Sequence, residues 1–394
     1  MAAAPYALPM PPSPPRSAVP EFDLTSDDPL DRLQRRLRLK VGSPAAPGRR
    51  IVLLLVVTVL PLVVLAGIAG QLGTLATDTL VIGRLVIALP LLVLAGPPVA
   101  RAVRHAVEQC VKTGLVGAED RDRFEAAVTG AIRLRDSRLA LAVIVVIALV
   151  VSVGAGGANL PYIGDWAREG GGLSAAGWWF ALVSMSLFDL VRLRWLWRVV
   201  VWWRFLFSLA RLPPGLMPAH PDRAGGLGFL SVACGSFAAL ILAMGIGPGI
   251  GFRGAILAGD ATLATLKVPM IGVALLLVLV VAAPLLFFLP LLGRAKRRAA
   301  LEYGQLAARY TRRFDARWIG EGERHDAELL GSGDIQSLAD LQGSYDVVQQ
   351  MRPVPISLPT IVTLLLMAGI AMLPAIEAEV PLKDILIAVL GALR

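Results

Sequence analysis

The stretch IVLLLVVTVLPLVVLAGIA, residues 51–69, is nineteen residues long and contains no charged side chain. An α-helix of that length is about 28 Å long, which matches the hydrocarbon thickness of a bilayer, about 30 Å. Residues 51–69 therefore predict a helix that crosses a membrane.

The rest of the chain repeats this pattern. Of the 394 residues, 56% are hydrophobic and the mean hydropathy is +0.68, which is too apolar for an ordinary soluble protein. Seven runs are long enough to span, near 51–69, 80–98, 139–157, 174–191, 227–250, 268–292 and 354–376. The predicted fold is all-α: a polytopic bundle of about seven transmembrane helices.

The Lys and Arg residues predict the orientation of the bundle, because cytoplasmic loops carry an excess of them. Residues 1–50, 99–138, 192–226 and 293–353 contain 32 of the 38 basic residues. The alternate segments, 70–79, 158–173, 251–267 and 377–394, contain 5. We therefore expect a cytoplasmic N-terminus, an external C-terminus and a cytoplasmic layer of helices.

The chain divides into six parts on this basis. Residues 1–50 form a disordered Pro-rich tail with a basic juxtamembrane segment, and residues 51–157 contain two spans, the cytoplasmic helices 99–138 and a third span. Residues 174–226 contain the fourth span and an interfacial Trp/Arg helix, and residues 227–292 contain the fifth and sixth spans. A cytoplasmic helical segment (293–353) and the seventh span with a short C-terminal helix (354–394) complete the chain.

The segment RLRWLWRVVVWWRFLFSLARL, residues 192–212, has two interpretations. As an eighth span it would place Arg198 and Arg204 in hydrocarbon, at a cost of about 2.5–3.5 kcal/mol each. We therefore expect an interfacial helix, with its tryptophans at the level of the lipid headgroups.

The string HPDRAGGLGF, residues 220–229, is the most function-like on the predicted cytoplasmic face. His220 and Asp222 could form an acid–base or ligand pair, while Arg223 and the N–H groups of Gly225 and Gly226 hold an anion. The alternative is structural: Asp222 caps a helix that begins at Arg223, and the glycines allow close packing.

A second string, GSGDIQSLADL, occupies residues 331–341. It could bind phosphate, or Asp334 could be a helix N-cap with Ser337 in the first turn. A stripe of apolar side chains from Ile335 to Met351 follows at helical spacing. If the 220–229 and 331–341 strings meet, they form the best polar site that the sequence offers.

Both strings resemble strings in uncharacterised bacterial multi-pass membrane proteins. The resemblance implies a bacterial inner-membrane location and an integral membrane protein, and no activity comes with it. No catalytic residue is assigned.

The fifth predicted span ends in GIGPGIGF, residues 245–252. Gly245, Gly247, Pro248 and Gly249 predict a broken helix, and broken helices at membrane depth often line cavities. The alternative is that these glycines only allow close contacts between helices.

Ionisable groups within the spans are few. Arg84 is expected near the outer end of the second span, turned outward, and too far from Asp189 to pair with it. Asp189, in the fourth span, should pair with Arg192 three residues later.

The sequence indicates no metal site and no cofactor. The acidic cluster of residues 321–328 is typical of a solvated linker, and no predicted span contains a histidine to hold haem. The positive charge flanks the spans, so the expected partners are the bilayer, anionic headgroups on the cytoplasmic face and a second copy of the chain, rather than nucleic acid.

Three functions remain open at this point. The first is a channel or transport protein with the glycine-broken helix in its pathway. The second is a membrane-embedded sensor or scaffold whose cytoplasmic helices recruit a partner. The third is an enzyme that acts on lipid headgroups through His220 and Asp222.

Overall fold

A computed structural model describes residues 22–25, 47–158, 164–213, 215–319 and 333–380. Seven of its helices are long and apolar enough to cross a membrane: Pro47–Ile68, Thr79–Lys112, Ala118–Gly154, Ala175–Leu209, Phe229–Leu257, Leu263–Trp318 and Leu358–Glu377. These are called the first to seventh spans below. The predicted all-α polytopic bundle is confirmed.

The described residues form the following regular elements, within the spans and between them. The α-helices are Pro47–Thr58, Leu60–Ile68, Leu72–Ala76, Thr79–Val81, Leu89–Leu94, Gly96–Lys112, Arg121–Arg135, Arg138–Ala158, Ala175–Trp179, Met185–Leu209, Phe229–Gly235, Ala238–Leu257, Leu263–Ala282, Leu289–Trp318, Gly333–Gln349 and Leu358–Glu377. Two π-helical segments, Ile82–Ala88 and Phe180–Ser184, and three 3₁₀ segments, Ala118–Asp120, Asp165–Ala167 and Ala283–Phe288, join them. Strands β1 (Arg168–Glu169) and β2 (Gly172–Leu173) form one antiparallel pair.

Side-chain caps fix where several spans begin. Asp78 accepts hydrogen bonds from the N–H groups of Leu80 and Val81 at 2.8 and 3.1 Å, and its second oxygen accepts one from the Trp166 indole at 2.8 Å. The hydroxyl of Ser357 caps the seventh span in the same way. These caps satisfy main-chain donors that a helix leaves unpaired at its first turn.

The fifth span is the central helix of the bundle. Within its most apolar window, 56% of the residues are buried in the protein, whereas only 17% are buried in the first and third spans. The seventh span packs against it along most of its length. The first and third spans leave most of their apolar side chains for lipid, as expected of helices that are hydrophobic all round and lie at the surface of a membrane bundle.

The fourth span differs from the prediction. No break separates residues 191 and 192: the α-helix Met185–Leu209 is continuous. Three of its tryptophan indoles donate to carbonyls of other helices, Trp195 to Leu92 at 2.8 Å, Trp197 to Leu134 at 3.2 Å and Trp203 to Val280 at 2.8 Å. Trp195 is only 1% exposed, so it packs against protein instead of lipid headgroups.

The prediction of a disordered Pro-rich tail at the start of residues 1–50 also needs a correction. Four of its residues, Phe22–Thr25, are docked on the bundle, and the side chains of Phe22 and Leu24 are fully buried. No pattern within the tail indicates this, because the contacts come from distant helices. The other residues of the tail, and the basic segment before Pro47, lie outside the described residues.

The two predicted amphipathic helices of residues 99–138 are present as Gly96–Lys112 and Arg121–Arg135. Residues 293–353 form two further helices, Leu289–Trp318 and Gly333–Gln349, which run antiparallel as a hairpin called the arm below. Lys296 donates to the Met351 carbonyl at 2.8 Å beside the bundle, and Trp318 donates to Asp334 at 3.1 Å at the far end. The predicted C-terminal helix, within 381–394, lies outside the described residues.

Candidate functional site

The loop before the fifth span is built around the carboxylate of Asp222. Oδ1 accepts the N–H groups of Ala224 at 2.8 Å and Gly226 at 3.2 Å, and Oδ2 accepts that of Gly228 at 2.7 Å. Gly225 and Gly226 have φ of +66° and +92°, which lets the main chain curl around the carboxylate. The chain thus supplies its own anion to this cradle of N–H groups.

This geometry corrects the predicted helix start. The helix begins at Phe229, and residues 221–228 form turns, so Asp222 does not cap a helix that starts at Arg223. Burial acts to raise the pKa of Asp222, but the three main-chain hydrogen bonds outweigh it, and the pKa lies below its ordinary value. Asp222 is therefore ionised at neutral pH.

His220 and Arg223 have different roles in this loop. His220 Nδ1 lies 3.0 Å from Asp222 Oδ1, so the pair that the sequence suggested is brought together. Arg223 has φ +53°, a conformation that non-glycine residues adopt at a cost, and its side chain is exposed. Its carbonyl accepts the N–H of Arg352 at 2.7 Å, so its main chain carries the contact.

Arg352 joins this loop to the segment before the seventh span, and sequence reasoning missed it. Its guanidinium donates to the carbonyl of Asp222 through Nη2 and to that of Ile356 through Nη1, both at 2.8 Å. Close by, the Ser231 hydroxyl accepts the Ser357 N–H at 2.8 Å. The loops that lead into the fifth and seventh spans are thus one hydrogen-bonded unit.

Asp334 and Ser337 are not part of that unit. Met351 lies beside Gly225, whereas Asp334 is at the opposite end of the helix Gly333–Gln349, about 22 Å away along its axis. There Asp334 Oδ2 pairs with Arg317 at 3.1 Å and accepts the Trp318 indole. Ser337 is exposed. The two motifs do not meet.

The glycines of the fifth span lie in a continuous helix, Ala238–Leu257, so the predicted break is wrong. A Cβ atom on Gly245 would meet the Ala371 Cβ, and one on Gly249 would meet the Ala371 carbonyl oxygen. Gly247 has open space around it, and Pro248 is accommodated inside the helix. Gly245 and Gly249 therefore allow two helices to touch, as the alternative interpretation held.

A buried charged cluster lies between the second, third and fourth spans. Asp189 is 6% exposed, pairs with Arg192 at 2.7 Å and accepts the Ser152 hydroxyl at 3.2 Å. The predicted pair with Arg192 is thus present. Arg84 does not turn outward: its Nη1 lies 3.6 Å from the sulfur of Met185, which is one helical turn before Asp189.

The cluster lies where the helices depart from α geometry. Arg84 belongs to the π-helical segment Ile82–Ala88, and the segment Phe180–Ser184 precedes Met185. The Ser184 hydroxyl donates to the Thr58 carbonyl at 2.7 Å, at the point where the first span is broken into two helices. Such π-helical turns are frequent at functional sites.

A groove of about 290 Å³ lies between the third and fourth spans near this cluster. Apolar side chains line it, including those of Leu149 and Leu187, together with Ser186. The Ser186 hydroxyl is buried and has no hydrogen-bond partner in the described part of the chain. The groove does not include Gly245 or its neighbours.

No group of three metal-ligating side chains occurs within residues 22–25, 47–158, 164–213, 215–319 and 333–380, and the acidic cluster at 321–328 falls outside them. Comparison with protein-family models, with curated proteins and with solved structures finds no match.

Proposed function

We propose that this multi-pass membrane protein is a scaffold that recruits a protein with an acidic surface through its arm. The observation that carries this proposal is the exposure of the arm: no residue is buried among the described residues 300–319 and 333–347. Residues that bury no side chain contribute little to the stability of the bundle, so a role for this part of the arm is sought in binding.

The arm is stiff enough to present a surface. Its first helix is the second part of the sixth span, Leu263–Trp318, which is 56 residues long. Its far end is closed by Asp334, which binds Arg317 and Trp318, while the Tyr310 hydroxyl donates to the Asp334 carbonyl at 2.9 Å. A pre-organised surface loses less entropy when a partner binds.

The chemistry of the arm favours an acidic partner. The helix Leu289–Trp318 carries eight basic and two acidic residues. Arg298, Arg309 and Arg312 are exposed, with the apolar Leu301, 68% exposed, among them. A basic surface with an apolar centre is complementary to an acidic surface with an apolar patch.

The apolar stripe from Ile335 to Met351 does not form the surface that recruits the partner. Val348 is buried, and Leu338, Leu341 and Tyr345 are partly buried, on the helix that packs against the first helix of the arm, whereas Met351 lies beside Gly225. The stripe holds the hairpin together, so the recruiting surface is the outer, basic face.

A photo-crosslinking amino acid at Leu301, in the full chain in native membranes, tests the proposal. We expect one discrete protein adduct that disappears when Arg309→Glu and Arg312→Glu are added. The matched control is the same probe at Val268, which is 77% exposed on the same long helix but within the membrane. Identical adducts at both positions, or lipid adducts alone, would contradict the proposal.

A transport function is the second candidate, and the Asp189 cluster favours it. Ionisable groups within a membrane bundle often mark an ion or substrate pathway, and this one joins three spans. Gly245 and Gly249 do not support a transport pathway, because they pack directly against Ala371 of the seventh span. Flux into proteoliposomes that is equal for the wild type and Asp189→Asn would remove this candidate.

The enzyme hypothesis gains no support from the 220–229 loop. All three main-chain hydrogen bonds of the cradle end on the Asp222 carboxylate, which stabilises its charged form and lowers its strength as a base. The His220–Asp222 pair is accounted for by the folding of the loop.

A further inference from the structure

Four residues of the N-terminal tail, Phe22–Thr25, are bound to the bundle in the way that a short peptide is bound by a receptor. They form no helix or strand. Relative exposures are 1% for Phe22, 5% for Asp23 and 0% for Leu24, so the segment is inserted deeply in spite of its short length.

Three arginines from three different spans hold its polar groups. Arg104 of the second span pairs with Asp23 Oδ2 at 3.3 Å. Arg135 of the third span donates to the Asp23 carbonyl oxygen. Arg198 of the fourth span donates to the Thr25 carbonyl at 3.4 Å. The other Asp23 oxygen accepts the Thr25 N–H at 2.7 Å and fixes the turn of the segment.

The apolar half of the pocket is aromatic. The Phe22 ring lies 5.3 Å from that of Phe205, which in turn stacks on Trp202 at 5.5 Å and meets the edge of Phe124 at 6.2 Å. An aromatic anchor in a closed pocket is the usual centre of a high-affinity contact.

The arginines of the pocket match an acidic occupant. Arg135 is only 8% exposed, and its second partner is Asp136, at 2.8 Å. A buried guanidinium is costly without hydrogen-bond acceptors, and Arg104 and Arg198 add further positive charge at the same place. The segment supplies one carboxylate and two carbonyl oxygens to these arginines.

We propose that this pocket is a recognition site for peptides with the pattern aromatic–aspartate–leucine, and that the chain's own residues Phe22–Thr25 occupy it exchangeably. When occupied, the site ties together the ends of the second, third and fourth spans. This inference is independent of the arm and of its partner.

The proposal predicts competition between the tail and free peptide. A fluorescent peptide EFDLTSD, residues 21–27, is titrated into the purified full chain and into a Phe22→Ala, Asp23→Ala, Leu24→Ala variant. We expect saturable binding to the variant and at least about tenfold weaker apparent binding to the wild type, because a tethered segment competes at millimolar effective concentration.

Two matched controls define the chemistry. The peptide with Asp23→Asn should bind the variant at least about tenfold more weakly, because it lacks the charge that meets Arg104. Adding Arg104→Gln to the variant should weaken the binding of the unmodified peptide similarly. Equal binding of both peptides, or no binding to a monodisperse variant, would overturn the proposal.

A measurement on the wild type covers the case in which the variant does not fold. Hydrogen exchange at the Leu24 and Thr25 amides should become faster when excess peptide displaces the tail. If the rate of hydrogen exchange at these amides does not change up to millimolar peptide, the tail is a permanent structural contact, and the proposal that free peptide can displace it is overturned.

Discussion

Gly249 of the fifth span packs directly against the carbonyl oxygen of Ala371 in the seventh, at a separation that leaves no space for a Cβ atom. One turn earlier, Gly245 makes the same kind of approach to the Ala371 side chain. The two most closely packed helices of the bundle therefore touch through glycine, which is how membrane helices gain contact area without a hydrophobic driving force.

Gly249→Ala should lower the free energy of unfolding by about 1–3 kcal/mol, because the added methyl forces the two spans apart. Gly247→Ala is the matched control, since its Cβ would meet no atom within 4 Å. Unfolding in detergent, followed by circular dichroism, measures both. A neutral Gly249→Ala would mean that the fifth and seventh spans are not in contact there.

Asp222→Asn should destabilise the loop by about 1–3 kcal/mol at neutral pH, because the carboxylate accepts three main-chain N–H groups. His220→Ala, which removes only one contact of the same carboxylate, should cost less. Unfolding midpoints of the two variants against the wild type give the comparison, and the reverse order would contradict the assigned geometry.

The same carboxylate predicts a dependence on pH. The pKa of Asp222 is lower in the folded chain than its unfolded value of about 3.9, so its contribution is fully present well above pH 4. That contribution is lost as the pH falls through the folded pKa. The unfolding midpoints of the wild type and Asp222→Asn should therefore converge in acid, and a constant difference from pH 7 to pH 3 would argue against this account.

Replacement of residues 300–347 by a short Gly/Ser linker should change the free energy of unfolding of the bundle by no more than about 0.5 kcal/mol. The described residues of this range bury no side chain, and the Lys296–Met351 contact at the base of the arm is retained. A large loss of stability would show that the arm packs on the bundle, and would weaken the scaffold proposal.

The spans were predictable from the sequence because lipid leaves an apolar run of about twenty residues few alternatives to a helix. The prediction that the fifth span breaks at Pro248 was wrong, because a helix tolerates the loss of one main-chain N–H where neighbouring helices pack closely around it. The burial of Phe22 could not be predicted from the sequence, because four residues are too few to show a periodic pattern. The aromatic cluster that it joins, with Phe205 and Phe124, is formed by helices far along the chain.

Arg84 shows a further limit of sequence reasoning. Counting rise per residue gives depth along one helix, but it does not fix how two helices are offset, and a long guanidinium side chain adds several ångströms of reach. The predicted outward turn of Arg84 was therefore wrong, whereas Asp189 pairs with Arg192, as predicted. Asp334 shows another limit: the sequence left open whether the 220–229 and 331–341 strings meet, and the structure places a whole helix between them.

The cluster around Asp189 gives the last prediction. Asp189→Asn should destabilise the chain by about 1–3 kcal/mol, because Arg192 then loses its carboxylate partner, and the partial exposure of Arg192 reduces the cost below that of a fully buried pair. Ser152→Ala, which removes one hydrogen bond to the same carboxylate, should cost about 1 kcal/mol.

The double variant Asp189→Leu, Arg192→Leu separates structure from function, because replacing both members of a buried pair by apolar groups is often neutral. If the pair only stabilises the bundle, this variant should unfold like the wild type and keep any flux that the wild type shows. If the pair forms part of a pathway, stability should recover while flux stays lost. A double variant as unstable as Asp189→Asn would mean that the loss of the Asp189–Arg192 pair is not the cause of the instability.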